Sequence, residues 1–209
     1  MLELLIKGGI LMIPILLCSL AGLAIFFERL DRYRKITFSD ETLALLCDLL
    51  EKNRTGEAAG MLTPLRKAPR QPLDAILLDA LTSARADRQT MELLLSQGVA
   101  REIQHLGRHL GTMATLANIA PLLGLLGTVF GMIKAFAVVE SLGGRVNAAV
   151  LAGGIWEAMI TTAVGLTVAI PLIILHNYLE NRLNTIQVNL EERVITFYKA
   201  WLNRERKGA

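Results

Sequence analysis

His109–Ile133, HLGTMATLANIAPLLGLLGTVFGMI, runs for 25 residues without a formal charge. A helix rises ~1.5 Å per residue, so about 20 apolar residues cross the hydrocarbon core of a bilayer. This stretch is long enough, and two others flank it. Gly8–Phe27 is a run of 20 uncharged residues, and between Arg145 and Glu180 the only formal charge is Glu157. The 209-residue chain is 53% hydrophobic, against about 45–50% in soluble domains, with mean hydropathy +0.44. Period-two alternation is absent, so no strands are expected. These features predict an all-α, polytopic membrane protein with three transmembrane helices and largely exclude a soluble enzyme. The first segment lacks a small-residue cleavage site and is expected to be a retained span. Cys18 and Cys47 form no disulfide framework and match no zinc spacing.

Charge sidedness orients the spans. Thirteen of the 22 Lys and Arg residues lie from Arg29 to Arg108, and six from Arg182 to Lys207. Near the span ends, Arg29, Arg32, Arg34, Lys35, Arg101, Arg108 and Arg182 agree on one side, the cytoplasmic one by the positive-inside rule. The N-terminus is then outside, with Lys134–Asn147 a short outer connection. The expected organisation is an outer N-terminus and first span (1–30), a cytoplasmic helical region (31–108), a second span (109–136), a short periplasmic loop (137–147), a third span (148–178) and a cytoplasmic C-terminal helix (179–209). Topology accounts for the +3 charge, and no basic patch interleaved with aromatics points to nucleic acid.

The cytoplasmic region reads as helical. Ser39 or Asp40 can cap a helix carrying Leu43, Leu46, Cys47 and Leu50 on one face. Thr55-Gly56 is expected to interrupt it, and Pro64, Pro69 and Pro72 to mark a bend. A new stripe follows in Ile76, Leu77, Ala80 and Leu81. Met91, Leu95, Val99, Ile103, Leu106, Leu110 and Met113 keep helical steps, predicting one long helix that enters the second span. The third span is expected to continue through Tyr178–Trp201. One chain has little with which to cover such projecting stripes, which favours oligomerisation.

Glu157 is the most informative residue. An acid at mid-membrane costs ~2.5–3.5 kcal/mol on insertion scales, so it is expected to face a cavity or partner or to carry a proton. The alternative is that it snorkels from the outer end of its span. Helical rise places Thr128 roughly 24 Å and Thr162 roughly 22 Å above the inner end, with Glu157 about 7 Å farther out. One carboxylate and two hydroxyls at adjoining depths could form a polar path. Back-bonding to the helix is the alternative for each Thr, foremost for Thr161 and Thr167. Gly124, Gly127, Gly131 and Gly165 are expected to let helices approach closely, and Pro121 and Pro171 to kink them. His105 and His109, one helical turn apart, lack a third ligand, so no metal and no cofactor are expected.

Ala120-Pro121-Leu122-Leu123-Gly124-Leu125-Leu126-Gly127-Thr128-Val129-Phe130-Gly131-Met132 resembles the second-span signature of the MotA/TolQ/ExbB proton channel family. Gly154-Ile155-Trp156-Glu157-Ala158, with Thr162–Leu166 and Ala169-Ile170-Pro171, resembles its third-span signature. The opening from Gly8-Gly9 through Pro14 to Phe27-Glu28-Arg29 is similar to ExbB-type openings, and three spans favour the ExbB/TolQ branch over the MotA branch. The resemblance implies a pentamer of this subunit around a dimer of a single-span ExbD- or TolR-like partner, working through a TonB- or TolA-like protein. It assigns Glu157, Thr128 and Thr162 to ion translocation and Asn177 to the inner end of the pore. The sequence leaves open an ExbB-like or TolQ-like role, proton or sodium, and a non-conducting scaffold.

Overall fold

The computed structural model describes residues 9–62, 71–83, 87–141 and 148–208. Among them the chain forms seven helices and no strand: α1 (Met12–Arg34), α2 (Asp40–Glu51), α3 (Thr55–Leu62), α4 (Pro72–Thr82), α5 (Arg88–Leu106), α6 (Leu110–Ser141) and α7 (Ala148–Gly208). Three stretches are long and apolar enough to cross a membrane: Met12–Arg34, Arg88–Ser141 and Leu151–Arg204, with mean hydropathies of 1.9, 2.1 and 2.3. The protein is an all-α polytopic membrane protein. Its chain divides into two units, one of residues 1–29 and 109–180 and one of residues 30–108 and 181–209.

In the first unit, small side chains line the α6–α7 contact and many large apolar ones are exposed. The buried face of α6 runs Leu110, Met113, Ala117, Ala120, Gly124, Gly127, Gly131 and Ala135. Leu122, Leu125, Val129, Phe130 and Ile133 of the same helix are exposed. Lipid tails are as apolar as leucine, so burying leucine gains little there; close backbone approach and dispersion hold the helices together instead. The glycines set an antiparallel register between α6 and α7. A Cβ on Gly165 would lie 2.7 Å from the Ala120 carbonyl oxygen, one on Gly124 3.0 Å from Thr162 Cα, and one on Gly131 2.8 Å from Ala158 Cβ. Gly127 faces the Thr161 side chain, and Gly154 faces Ala135. Both helices continue through their prolines, Pro121 and Pro171.

The second unit has the opposite logic, with a conventional apolar core. Leu43, Leu46 and Leu50 of α2 and Ile76, Leu77, Ala80 and Leu81 of α4 pack with Met91, Leu95 and Val99 of α5 and Leu190, Val194, Phe197 and Trp201 of α7. Ser39 caps α2, its hydroxyl accepting from the Thr42 N–H at 3.2 Å. Pro72 opens α4, where its missing N–H is no loss; Pro64 and Pro69 lie outside the described residues. Arg193 reaches from α7 to Asp40 at 2.8 Å and stacks over the Phe38 ring at 4.7 Å.

Two local expectations are corrected. Thr55-Gly56 does not interrupt a helix but begins α3; the break falls at Lys52–Arg54, with Asn53 in the left-handed region at φ 60°. The single helix expected from Met91 into the second span is divided. α5 ends at Gly107, whose N–H bonds to the Ile103 carbonyl at 2.8 Å, and His109 takes φ 70° before α6 begins. A Cβ at Gly107 would lie 3.1 Å from Leu183 Cδ2, so the close neighbour favours glycine there. His105 and His109 therefore do not share one helix.

Candidate ion-path site

The site lies in the first unit, where α6 and α7 run antiparallel and the chain ahead of α1 comes alongside. Glu157 projects from α7, one-third exposed, with its Oε2 3.5 Å from Lys134 Nζ. Lys134, read from sequence as the start of the outer connection, sits inside α6, which extends to Ser141. The two residues share a cleft of about 260 Å³ with Gly9, Phe130, Gly131 and Thr161. Gly9 has φ +70°, and a Cβ there would lie 3.2 Å from Glu157 Oε1. Glycine thus allows the chain to turn beside the carboxylate, with Met12 N–H bonding back to the Gly9 carbonyl at 3.2 Å.

The threonines divide into two kinds. Thr161 and Thr167 bond to their own helix, to the carbonyls of Glu157 at 3.1 Å and Ala163 at 2.8 Å. Thr128 does the same, donating to Leu125 at 2.6 Å. Its groove, shared with Met132, Phe136 and Glu140, is separate from the Glu157 cleft. Thr162 instead crosses between helices and donates to the Gly124 carbonyl at 2.8 Å. That bond ties α7 to α6 at the point where Gly124 lets the backbones meet. Asn177 is exposed on α7, its Oδ1 3.5 Å from His176 Nδ1.

Of the sequence-predicted residues, the structure brings Glu157 to Gly131 across one cleft and Thr162 to Gly124 across one helix contact. It does not bring Thr128 or Asn177 into the Glu157 cleft. Lys134 and Gly9 are the residues that sequence reasoning missed. Lys134 lies at the outer end of the span expected over 109–136, and its signal was the first basic residue after an uncharged run of membrane length, at the same outer level as the lone acid. Gly9 gave no comparable signal, because it reaches the carboxylate only through the tertiary fold.

The arrangement defines a class: a polytopic helical membrane protein with an ion pair set between closely packed spans. Residues 68–192 match the MotA/TolQ/ExbB proton channel family. The chain is 30% identical over 187 residues to an ExbB homolog of Methanothermobacter thermautotrophicus, covering 88% of this chain and 64% of that protein. It is 33% identical over 172 residues to the ExbB-like 3 protein of Synechocystis, covering 81% of this chain and 80% of that protein. A Tol-Pal system protein TolQ of Haemophilus influenzae is 39% identical over 87 residues, 42% of this chain and 38% of that one. The chain therefore spans just under two thirds of the archaeal relative's length. It belongs to the MotA/TolQ/ExbB proton channel family.

Proposed function

We propose that the chain is the ion-conducting stator subunit of a proton-motive-force-driven complex in the bacterial inner membrane, with an ExbB-like role in energising TonB-dependent outer-membrane transport. On this reading it is a transport subunit and not an enzyme. It assembles as a homopentamer, surrounds a dimer of a single-span ExbD-like partner, and keeps its N-terminus periplasmic and its C-terminus cytoplasmic. The observation that carries the reading is Glu157: a carboxylate kept within an apolar span, in a cleft and beside a cation, where an idle acid would be costly. The membrane potential supplies about 2.3 kcal/mol per charge per 100 mV to whatever crosses.

The residues divide the work. Glu157 lines the path as its fixed charge, Thr162 locks α7 against α6 beside it, and Thr128 offers a hydroxyl on the neighbouring groove. Asn177 serves the inner end, and the glycines hold the helices close enough to constrict the path. A TolQ-like role in envelope constriction, with TolR- and TolA-like partners, is the second reading, favoured by the TolQ match over 87 residues. The test is a cell lacking the native gene and complemented with Glu157→Ala or Thr162→Val. Each variant is expected to reduce force-dependent uptake at least tenfold while native mass spectrometry still finds the oligomer. Full activity in both variants at normal expression would refute the residue assignments.

A further inference from the structure

We propose that Lys134 is the built-in counter-ion of Glu157 and makes this site refuse alkali cations. The inference rests on the reading of Glu157 as a path residue and adds the selectivity of that site. A lone carboxylate among apolar helices would attract whatever small cation could reach it, and oxygen ligands suit sodium as well as hydronium. Here the place of that cation is taken. Lys134 Nζ stands 3.5 Å from Glu157 Oε2, from the facing helix and within the same cleft. The ammonium is tethered to the facing helix, so its effective concentration at the carboxylate does not fall when the free ion is dilute.

The surroundings leave a sodium ion little else. Among the described residues that line the cleft, the Thr161 hydroxyl is the one neutral side-chain oxygen, while Thr162 lies outside the lining and donates to the Gly124 carbonyl at the helix contact. Gly9 lies against Oε1, the other carboxylate oxygen. The nearest further acid on the Lys134 helix, Glu140, lines the separate groove with Thr128. Among the described residues that line it, one carboxylate and one ammonium leave the cleft without net charge. Desolvating a sodium ion into a neutral, partly apolar cleft is unfavourable, because an already paired carboxylate and one hydroxyl replace little of its hydration shell.

Saturable binding of radioactive ²²Na⁺ to the purified full chain in detergent tests this, with choline chloride holding ionic strength constant. Wild type and Lys134→Arg are expected to show no saturable binding. Lys134→Met and Lys134→Gln are expected to raise bound ²²Na⁺ at least tenfold at millimolar sodium, and adding Glu157→Gln to either is expected to abolish the gain. Glu140→Gln is expected to leave wild-type behaviour unchanged. Saturable binding by wild type that Glu157→Gln removes would overturn the proposal, as would folded Lys134 variants, judged by a retained melting transition, that gain nothing. Because the readout is binding, it is independent of uptake: full uptake in both Glu157→Ala and Thr162→Val refutes the residue assignments of the stator reading and leaves the counter-ion result standing.

Discussion

At the residue scale, the informative groups are charges in places that charges avoid. Glu157 was legible because it stands alone between Arg145 and Glu180, and membrane physics makes such an acid conspicuous in sequence. Its partner was not legible in the same way: Lys134 falls at the outer end of the second span expected over 109–136, where a lysine reads as an interfacial residue and not as a partner. Only the extension of α6 to Ser141 turns it into a residue one helix away from Glu157. The second unit has its own misplaced charge in Asp74. It occupies the first turn of α4, where the helix dipole ordinarily favours a carboxylate, yet burial pushes its pKa above the usual aspartate value. A raised folded pKa means that the native state holds the proton more tightly than the unfolded chain does. The stabilising contribution is complete below the unfolded value and is lost as pH rises through the folded one. Asp74→Asn mimics the protonated group, so the variant is expected to melt higher than wild type at pH 7 and to match it near pH 3. Equal melting temperatures at both pH values would show that burial does not tax this carboxylate. Asp87 behaves oppositely: bonds from Thr90 hold it below the usual carboxylate range, so its capping of α5 weakens as acid protonates it.

At the element scale, apolar periodicity made the helices legible but not their junctions. The stripe from Met91 to Met113 keeps helical spacing straight through Gly107–His109, and nearly every member is buried as that spacing predicts. Continuity of a buried stripe is a statement about faces, and two consecutive helices can each satisfy it across a short turn. Gly107 was the available cue, a glycine after the last turn of α5, but an isolated glycine within a periodic run is ambiguous. The glycines of α6 and α7 carried a firmer signal, because small residues at steps of three and four mark close helix contact. Their roles separate experimentally. Gly165→Val would drive a branched side chain toward the Ala120 carbonyl, where the contact is already 2.7 Å for a bare Cβ. Overpacking of this kind costs about 1–3 kcal/mol, and the variant is expected to melt correspondingly lower in detergent. Gly153→Ala is the control on the same helix, since a Cβ there meets nothing within 4 Å. Alanine gains up to about 1 kcal/mol in helix propensity over glycine, so this variant is expected to match or exceed wild type. A melting temperature unchanged in Gly165→Val would refute the antiparallel register described above.

At the scale of the whole molecule, the two units follow different packing rules, and that difference bears on orientation. The first sets glycine and alanine at the α6–α7 contact and leaves many leucine, isoleucine and phenylalanine side chains exposed, as a hydrocarbon solvent allows. The second buries leucine, phenylalanine and tryptophan in the ordinary aqueous manner. Basic residues follow the same division: of 22 Lys and Arg, 18 belong to residues 30–108 and 181–209. Hydropathy revealed the spans, and charge sidedness revealed which segments belong together, because both properties are summed over many residues and survive local error. The proposed orientation places the second unit in the cytoplasm, as the positive-inside rule expects. Single-cysteine labelling in intact cells checks this, in a background where Cys18 and Cys47 are replaced by Ser. Glu140→Cys, near the end of α6, is expected to react with a membrane-impermeant maleimide added outside. Ser96→Cys, on the exposed side of α5, is expected to react only after the membrane is permeabilised. Reversed labelling would turn the molecule over. Ions driven inward would then meet Asn177 first and the Glu157–Lys134 pair last, and the proposed place of Asn177 at the inner end would fail while the fold stood.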